Sequence, residues 1–182
     1  MSDVLTAVAA RLRGFEPVAR HCGEAWARGF LSEYYRELAD VGVGHDAQIE
    51  PLPQSQLLFL FPSSGAANAV LRAVHCGLDA QSVVLGLRNR RLLGGEIDVA
   101  EVHLGVGVAT GGTDTAAVRE RAVQLAERSG PGQVLLDQPT RDCVARHARD
   151  LRLTPASGEG DAEAVFRCER RRPALRKVAS GR

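Results

Sequence analysis

Histidine and cysteine side chains have the most versatile chemistry in this chain, and their spacing decides what they can do together. Cys143 and His147 are four residues apart on an expected helix, which places two metal ligands on one face. A structural zinc ion needs four ligands, and the surrounding sequence does not supply the other two. Two His-Cys dipeptides, at 21–22 and 75–76, suggest a thiol beside its base, but adjacent helical residues point about 100° apart. We therefore expect neither a metal site nor a thiol nucleophile.

Two glycine-rich segments raise the question of a phosphate-binding loop. GVGVATGG at 105–112 lacks the glycine spacing and the Lys-Ser/Thr pair of a P-loop, and GPGQ at 130–133 precedes a strand rather than opening a helix. No Gly-x-Ser-x-Gly motif and no carboxylate pair at active-site spacing stands out. The residues alone therefore point to no catalytic centre.

The elements that must position these residues follow from periodicity and turn chemistry. Their order begins strand, helix, strand, strand, helix, strand, which predicts an α+β fold with a ferredoxin-like β-α-β-β-α-β core. We expect a mainly antiparallel sheet with helices packed on one face, and extra strands at the C-terminal end. The predicted strands are 3–10, 47–52, 57–62, 101–112, 133–137, 151–155 and 164–169. The predicted helices are 15–41, one that Ser63-Ser64 caps and that runs to Leu87 or beyond but ends before Gly94-Gly95, 115–128 and 140–148.

Composition bounds the class of protein. The 182 residues suit one domain, and 45% hydrophobic with 25% charged residues is typical of globular proteins. Lys plus Arg is 23 and Asp plus Glu is 22, a balance that argues against a nucleic-acid binder, as does the 4% content of aromatic residues. The N-terminus does not read as a signal peptide, so the four scattered cysteines predict reduced, mostly buried thiols in a cytoplasmic protein.

The last residues differ in kind from the rest. We divide the chain into a domain at 1–169 and a basic tail or linker at 170–182, where six basic residues occur with no acid. Basic residues beside a membrane favour its cytoplasmic side, which makes the cytosolic part of a membrane-tethered protein one interpretation and a solvated tail the other. The residues that would lie near the membrane are Arg170, Arg171, Arg172, Arg176 and Lys177.

Several segments, in register, resemble the class III adenylate/guanylate cyclase homology domain. The strongest are VHLGVGVATGG at 102–112 and RAVQLAERSGPGQVLLDQPTRDCV at 121–144, which look like that family's glycine-rich strand, Asn/Arg helix and Pro-Gly-Gln-Val-Leu strand. AARLRGF at 9–15 looks like its first strand, and QSQLLFLFPSSGAANAVLRAV at 54–74 resembles its hairpin and second helix. The closing segments LRLTP and AVFRCE fit its terminal hairpin. The resemblance covers nearly all of residues 3–169 and implies the fold of a nucleotide cyclase.

The residues that the resemblance places at catalytic positions depart from the family. Two metal-binding aspartates are replaced by Arg11 and Ser55, although a cation repels Mg²⁺ and a lone hydroxyl cannot replace a carboxylate. The ribose-orienting asparagine is replaced by Glu120 and the transition-state arginine by Gln124, which reverses or removes charge beside a triphosphate. The resemblance therefore implies a degenerate member with no metal and no cofactor.

From these departures we expect a non-catalytic regulatory or interaction module rather than an enzyme. It would keep the dimerising scaffold and pair as a homodimer, or as a heterodimer with another cyclase-like or signalling protein. No nucleic-acid partner is expected. The alternative is a nucleotide-binding or weakly active cyclase domain whose cleft holds a nucleotide without metal.

Overall fold

A computed structural model describes residues 4–63, 67–112, 114–156 and 163–171. Its elements follow the predicted order, and a short 3-10 helix, Ile97–Glu101, precedes the fourth strand. The strands are β1 (Val4–Arg13), β2 (Gln48–Leu52), β3 (Gln56–Ser63), β4 (His103–Gly111), β5 (Val134–Leu136), β6 (Leu151–Pro155) and β7 (Phe166–Arg170), and the helices are α1 (Phe15–Cys22), α2 (Glu24–Gly44), α3 (Ala67–Leu93), α4 (Thr115–Arg128) and α5 (Gln138–His147).

Within the described residues, these strands form one seven-stranded sheet in the order β2-β3-β1-β4-β5-β7-β6. The strand β1 is central to the larger half: it pairs antiparallel with β3 on one side and with β4 on the other. Among the ladders of the described residues, β4–β5 alone is parallel. The mainly antiparallel α+β fold with extra C-terminal strands is therefore confirmed.

Helices cover both faces of the sheet, so the expectation of helices on one face is wrong. Side chains of α1, α2, α3 and α5 share one core with alternate residues of the strands, such as Val8 and Phe59. The opposite alternate residues, such as Ala7 and Leu58, pack in a second core with α4. Because side chains of a strand alternate between faces, both sets of residues are apolar and β1 reads as a continuous apolar run.

The glycine-rich strand explains how α4 reaches the second face. A Cβ on Gly107 would lie 2.3 Å from the backbone oxygen of Ala122, and one on Gly105 would lie 2.4 Å from that of Ala126. The absence of side chains at these two positions lets the helix backbone lie directly on the strand. The motif therefore serves helix packing.

The first helical segment breaks where the periodicity predicted continuity. Gly23 has φ +90°, and α1 ends before it while α2 begins after it and extends to Gly44 rather than Val41. A positive φ suits glycine, which has no Cβ to clash with the preceding carbonyl, so this residue makes the bend. Apolar spacing continues across it, with Phe15, Trp26 and Phe30 stacking in one aromatic cluster.

The helix α3 is the longest element. It is long and apolar enough to cross a membrane, but half of its most apolar window is buried in the domain. Buried residues such as Ala73, Val74 and Leu87 belong to the first core, which is what the core helix of a globular domain requires. The predicted cap at Ser63-Ser64 lies partly outside the described residues, and Ser63 ends β3.

The C-terminal hairpin of β6 and β7 closes the sheet as predicted. Arg170 is the last residue of β7 and pairs with Asp79 of α3, and the Arg171 backbone N–H donates to the carbonyl of Asp150. These two arginines of the predicted tail therefore contact the sheet and its helix, whereas residues 172–182 lie outside the described residues.

Candidate functional site

A cavity of about 790 Å³ opens at the end of β1. Its walls are the end of β1 at residues 11–13, the start of α1 at 14–17 and the turn between β2 and β3, and Glu127 of α4 closes one side. Arg11 and Ser55, which the sequence analysis placed at two catalytic positions, both line it.

The Arg11 guanidinium extends into this cavity and binds two neighbouring side chains. One terminal nitrogen forms an ion pair with the carboxylate of Glu127, and the other donates to the side-chain oxygen of Gln54 at 3.1 Å. The Arg11 side chain is 28% exposed, so the pair lies at the cavity mouth rather than in the core. A guanidinium at this position repels a divalent cation beside it.

Ser55 is fixed by its backbone. Gln54 and Ser55 have φ values of 59° and 56°, in the left-handed region that non-glycine residues adopt at an energetic cost. The carbonyl of Ser55 accepts the backbone N–H of Leu12 at 3.3 Å and the buried hydroxyl of Tyr34 at 3.1 Å. These bonds anchor the turn to β1 and α2, which keeps Ser55 close to Arg11.

Gly14 shapes the wall that belongs to α1. Its φ is +70°, and a Cβ there would lie 2.2 Å from the backbone oxygen of Glu101. The chain can therefore turn from β1 into α1 only with glycine at this position. The turn brings the first residues of α1, including Glu16, to the rim of the cavity.

Glu120 and Gln124 do not line the cavity. Both are exposed on α4, where the amide nitrogen of Gln124 donates to the Glu120 carboxylate at 3.2 Å. The structure thus brings Arg11 and Ser55 together and leaves the other two candidates on an outer helix face.

Sequence reasoning missed Glu127, Gln54 and Arg13 as parts of this site. Arg13 donates to the backbone oxygens of Glu127 and Ser129, at 2.8 and 2.9 Å, at the C-terminal end of α4. Unpaired carbonyls at a helix end attract such a cation, so Arg13 ties α4 to the end of β1. The available signal was the pair of arginines at 11 and 13, before Gly14, which does not reveal a partner more than 100 residues away.

The cysteine and histidine pairs lie apart from this cavity in the part of the chain that the structure describes. Burial raises the pKa of the Cys76 and Cys168 thiols to about 12, which opposes thiolate formation. All four cysteines are free, but the expectation of mostly buried thiols holds for these two only, since Cys22 is exposed and Cys143 half-buried. Among the described residues, no three His, Cys, Asp or Glu side chains are grouped closely enough to hold a metal ion.

Comparison with known proteins identifies solved structures that are similar to this chain. No protein-family model matches the chain, and no curated protein matches its sequence. Solved structures do match it. The adenylyl cyclase CyaB from P. aeruginosa has a TM-score of 0.79 at 16% identity, covering 96% of this chain and 98% of that one. The guanylyl cyclase Cya2 has a TM-score of 0.72 at 18% identity, covering 91% and 90%.

A third similar structure is the dimeric guanylyl cyclase domain of the RhoGC fusion protein from the aquatic fungus Blastocladiella emersonii. Its TM-score is 0.76 at 10% identity, and the match covers 94% of this chain and 97% of that one. At these identities the similarity establishes the fold. The chain therefore has the fold of class III adenylyl and guanylyl cyclase domains.

Proposed function

We propose that this chain is a non-catalytic cyclase-like module that acts through protein–protein interaction. The observation that carries the proposal is Arg11, whose guanidinium occupies the cavity mouth in an ion pair with Glu127. The resemblance implies an aspartate at this position. At the two positions where carboxylates would attract Mg²⁺, this chain has a cation and a serine.

The α4 positions support the same proposal. The resemblance implies an asparagine and an arginine where Glu120 and Gln124 stand. Here the amide of Gln124 donates a hydrogen bond to the carboxylate of Glu120. Neither can stabilise the negative charge that develops on a triphosphate during cyclisation. Loss of metal and transition-state groups together removes many orders of magnitude in rate, because each group contributes several kcal/mol.

A dimeric assembly is part of the proposal. The RhoGC domain is dimeric in one similar structure and monomeric in another, so the fold is compatible with both states. Residues that hold this fold, such as Gly107 and Leu38, do not contact Arg11 or Ser55. We expect a homodimer, or a heterodimer with another cyclase-like protein. Light scattering of the purified chain at tens of micromolar, giving a monomer mass, would exclude the homodimer.

Activity and metal binding test the proposal directly. The purified chain is assayed with ATP or GTP and Mn²⁺, and we expect no cyclic nucleotide above a heat-inactivated control. Calorimetry with Mn²⁺ is then compared with the double variant Arg11→Asp, Ser55→Asp. We expect binding only in the variant, where two new carboxylates join Glu127 at the cavity. Arg28→Asp on the exposed part of α2 makes a matched control. Cyclic nucleotide from the unmodified chain would refute the proposal.

The alternative is a nucleotide-binding or weakly active cyclase domain, and the cavity favours it. At about 790 Å³ the cavity is within the range of small-molecule sites, and Arg11 and Arg13 line it. Calorimetry with ATP or GTP separates the two functions. Binding without turnover would make the chain a nucleotide sensor, whereas no binding with or without Mg²⁺ would leave the interaction module.

A further inference from the structure

We propose that another cavity, between the C-terminal half of α3 and the start of β4, binds a short-chain aliphatic carboxylate. This cavity, the Arg88 pocket, has a volume of about 240 Å³. It is lined by residues of α3 between 81 and 88, by residues 102–104 and by the turn at 131–132, and it shares no lining residue with the cavity at Arg11. The proposal does not rest on the proposed function.

The spacing of residues along α3 explains one wall of the pocket. Four lining residues recur at the intervals of one helix face: Gln81, Val84, Leu85 and Arg88. Residues three, four and seven positions apart lie along the same side of a helix. Val84 is buried in the first core, whereas Leu85 is 48% exposed. The wall therefore extends from the core to solvent, with Leu85 at the open side.

The amide of Gln81 fixes the facing wall. Its nitrogen donates to the carbonyl of Leu104 at 2.7 Å and to the carbonyl of Gln133 at 2.8 Å. Leu104 lies at the start of β4 and Gln133 directly precedes β5, so this one side chain connects α3 to both strands. Walls that are held in place before a ligand enters lower the ordering cost of binding.

Arg88 is the charged group of the pocket, and it lacks a partner among the described residues. Four arginines in the described part of the chain have a buried Nε without a hydrogen-bond partner: Arg88, Arg91, Arg141 and Arg167. The last three form ion pairs with acids through their terminal nitrogens. Arg88, by contrast, forms no ion pair and no hydrogen bond with any described residue, although it is half-buried. A guanidinium in this state favours an anion beside it.

The chemistry of the lining indicates which anion fits. No acid lines the pocket within the described residues, and most of the lining side chains are apolar: Val84, Leu85, Val102, Leu104 and Pro131. The planar fork of an arginine donates two parallel hydrogen bonds to a carboxylate, and the apolar side chains suit a hydrocarbon chain. His103 does not neutralise Arg88, because its Nδ1 donates to the carbonyl of Glu101 at 3.0 Å and an imidazole carries no negative charge.

The volume of the pocket limits the length of the ligand. A cavity of about 240 Å³ holds roughly eight water-sized groups, since one water molecule takes about 30 Å³ of liquid. Aliphatic acids of roughly four to six carbons have this number of non-hydrogen atoms. Inorganic phosphate, in contrast, has no apolar part to contact the lining.

Titration of the full chain with valerate, followed by two-dimensional amide NMR spectra, tests the proposal. We expect saturable shifts of the backbone amides of Val102, Leu104 and Gly132. Affinity should rise by about fourfold per methylene from propionate to valerate, because each methylene enters an apolar cavity. Valeramide has the same shape without the charge and should cause no shifts, and neither should inorganic phosphate.

Two variants and a control locate the binding. Arg88→Gln should weaken valerate binding by about tenfold, because it removes charge-assisted hydrogen bonds. Leu85→Glu places a carboxylate one helical turn from Arg88, where it competes with the ligand, and Leu85 is exposed enough for the domain to fold without it. This variant should also lose valerate binding. Arg28→Gln removes the same charge as Arg88→Gln from an exposed part of α2 and should bind valerate like the unmodified chain.

Three results would overturn the proposal. One is the absence of saturable shifts with valerate. Another is binding of valeramide or inorganic phosphate as tight as that of valerate. The third is unchanged valerate binding by Arg88→Gln or Leu85→Glu, or shifts confined to the cavity at Arg11. None of these results depends on cyclase activity or on a nucleotide, so they are distinguishable from a failure of the proposed function.

Discussion

Replacing Gly107 by alanine tests how closely α4 lies on the sheet. The new Cβ would lie 2.3 Å from the backbone oxygen of Ala122 and 2.4 Å from the backbone nitrogen of Ala126. Carbon prefers heavy-atom contacts of roughly 3.5 Å, so the helix would have to retreat by about 1 Å. Both obstructing atoms are backbone and cannot rotate away. Overpacking of a core costs about 1–3 kcal/mol, and we expect the upper end of this range.

Urea denaturation followed by the fluorescence of Trp26 measures this change in the free energy of unfolding. The urea midpoint should fall, while the slope of the free energy of unfolding against urea concentration stays constant, because the variant keeps the same fold. Gly112→Ala is the matched control, since a Cβ there meets nothing within 4 Å, and its stability should be unchanged or slightly raised. If Gly107→Ala were as stable as this control, the account of the glycine-rich strand would be refuted.

Two further substitutions follow from buried and charged contacts. Ser129→Ala removes the hydroxyl that accepts the backbone N–H of Val106 at 2.8 Å. Because this leaves a buried donor unpaired, we expect the free energy of unfolding, measured by the same urea assay, to fall by about 2 kcal/mol. An unchanged urea midpoint would contradict this. Burial raises the pKa of Asp79, but hydrogen bonds from His45 and Arg170 outweigh it, so this carboxyl has a lowered pKa. The contribution of the Asp79 carboxylate to the free energy of unfolding is therefore present at neutral pH and lost as pH falls below about 4. The Asp79→Asn variant should lose stability less steeply in acid than the unmodified chain. Equal slopes of stability against pH in acid would contradict this.

The sequence predicted the elements because each has a strong local signal. Apolar alternation and runs marked the strands, and Asp114 caps α4 as expected by accepting the backbone N–H of Ala117. The helix break at Gly23 was missed because the apolar spacing continues through it. The placement of α4 on the opposite face was missed because its reason, the contact of Gly105 and Gly107 with helix backbone, is a tertiary contact that glycine spacing alone does not reveal.

The candidate site was predicted in part. The resemblance pointed to Arg11 and Ser55, which do share a cavity, but the partners of Arg11 could not be read from the chain. Glu127 is 116 residues away and Gln54 is 43 residues away, and many other exposed acids and amides were equally available. The register of β1 with β3 brings Gln54 to the end of the first strand, and the packing of α4 against the glycines of β4 brings Glu127 there.

The position of β1 in the sheet has a consequence for folding during synthesis. This strand leaves the ribosome before its partners, and its ladders connect it to β3, about 50 residues later, and to β4, about 100 residues later. Its edge toward β4 stays unpaired until residue 111 has been translated, and its second apolar face stays uncovered until α4 (Thr115–Arg128) has followed. Contacts of such long sequence separation form slowly. An exposed apolar strand in a nascent chain is prone to aggregation. A chain released early, before β4, would present this strand to chaperones and to other copies of itself.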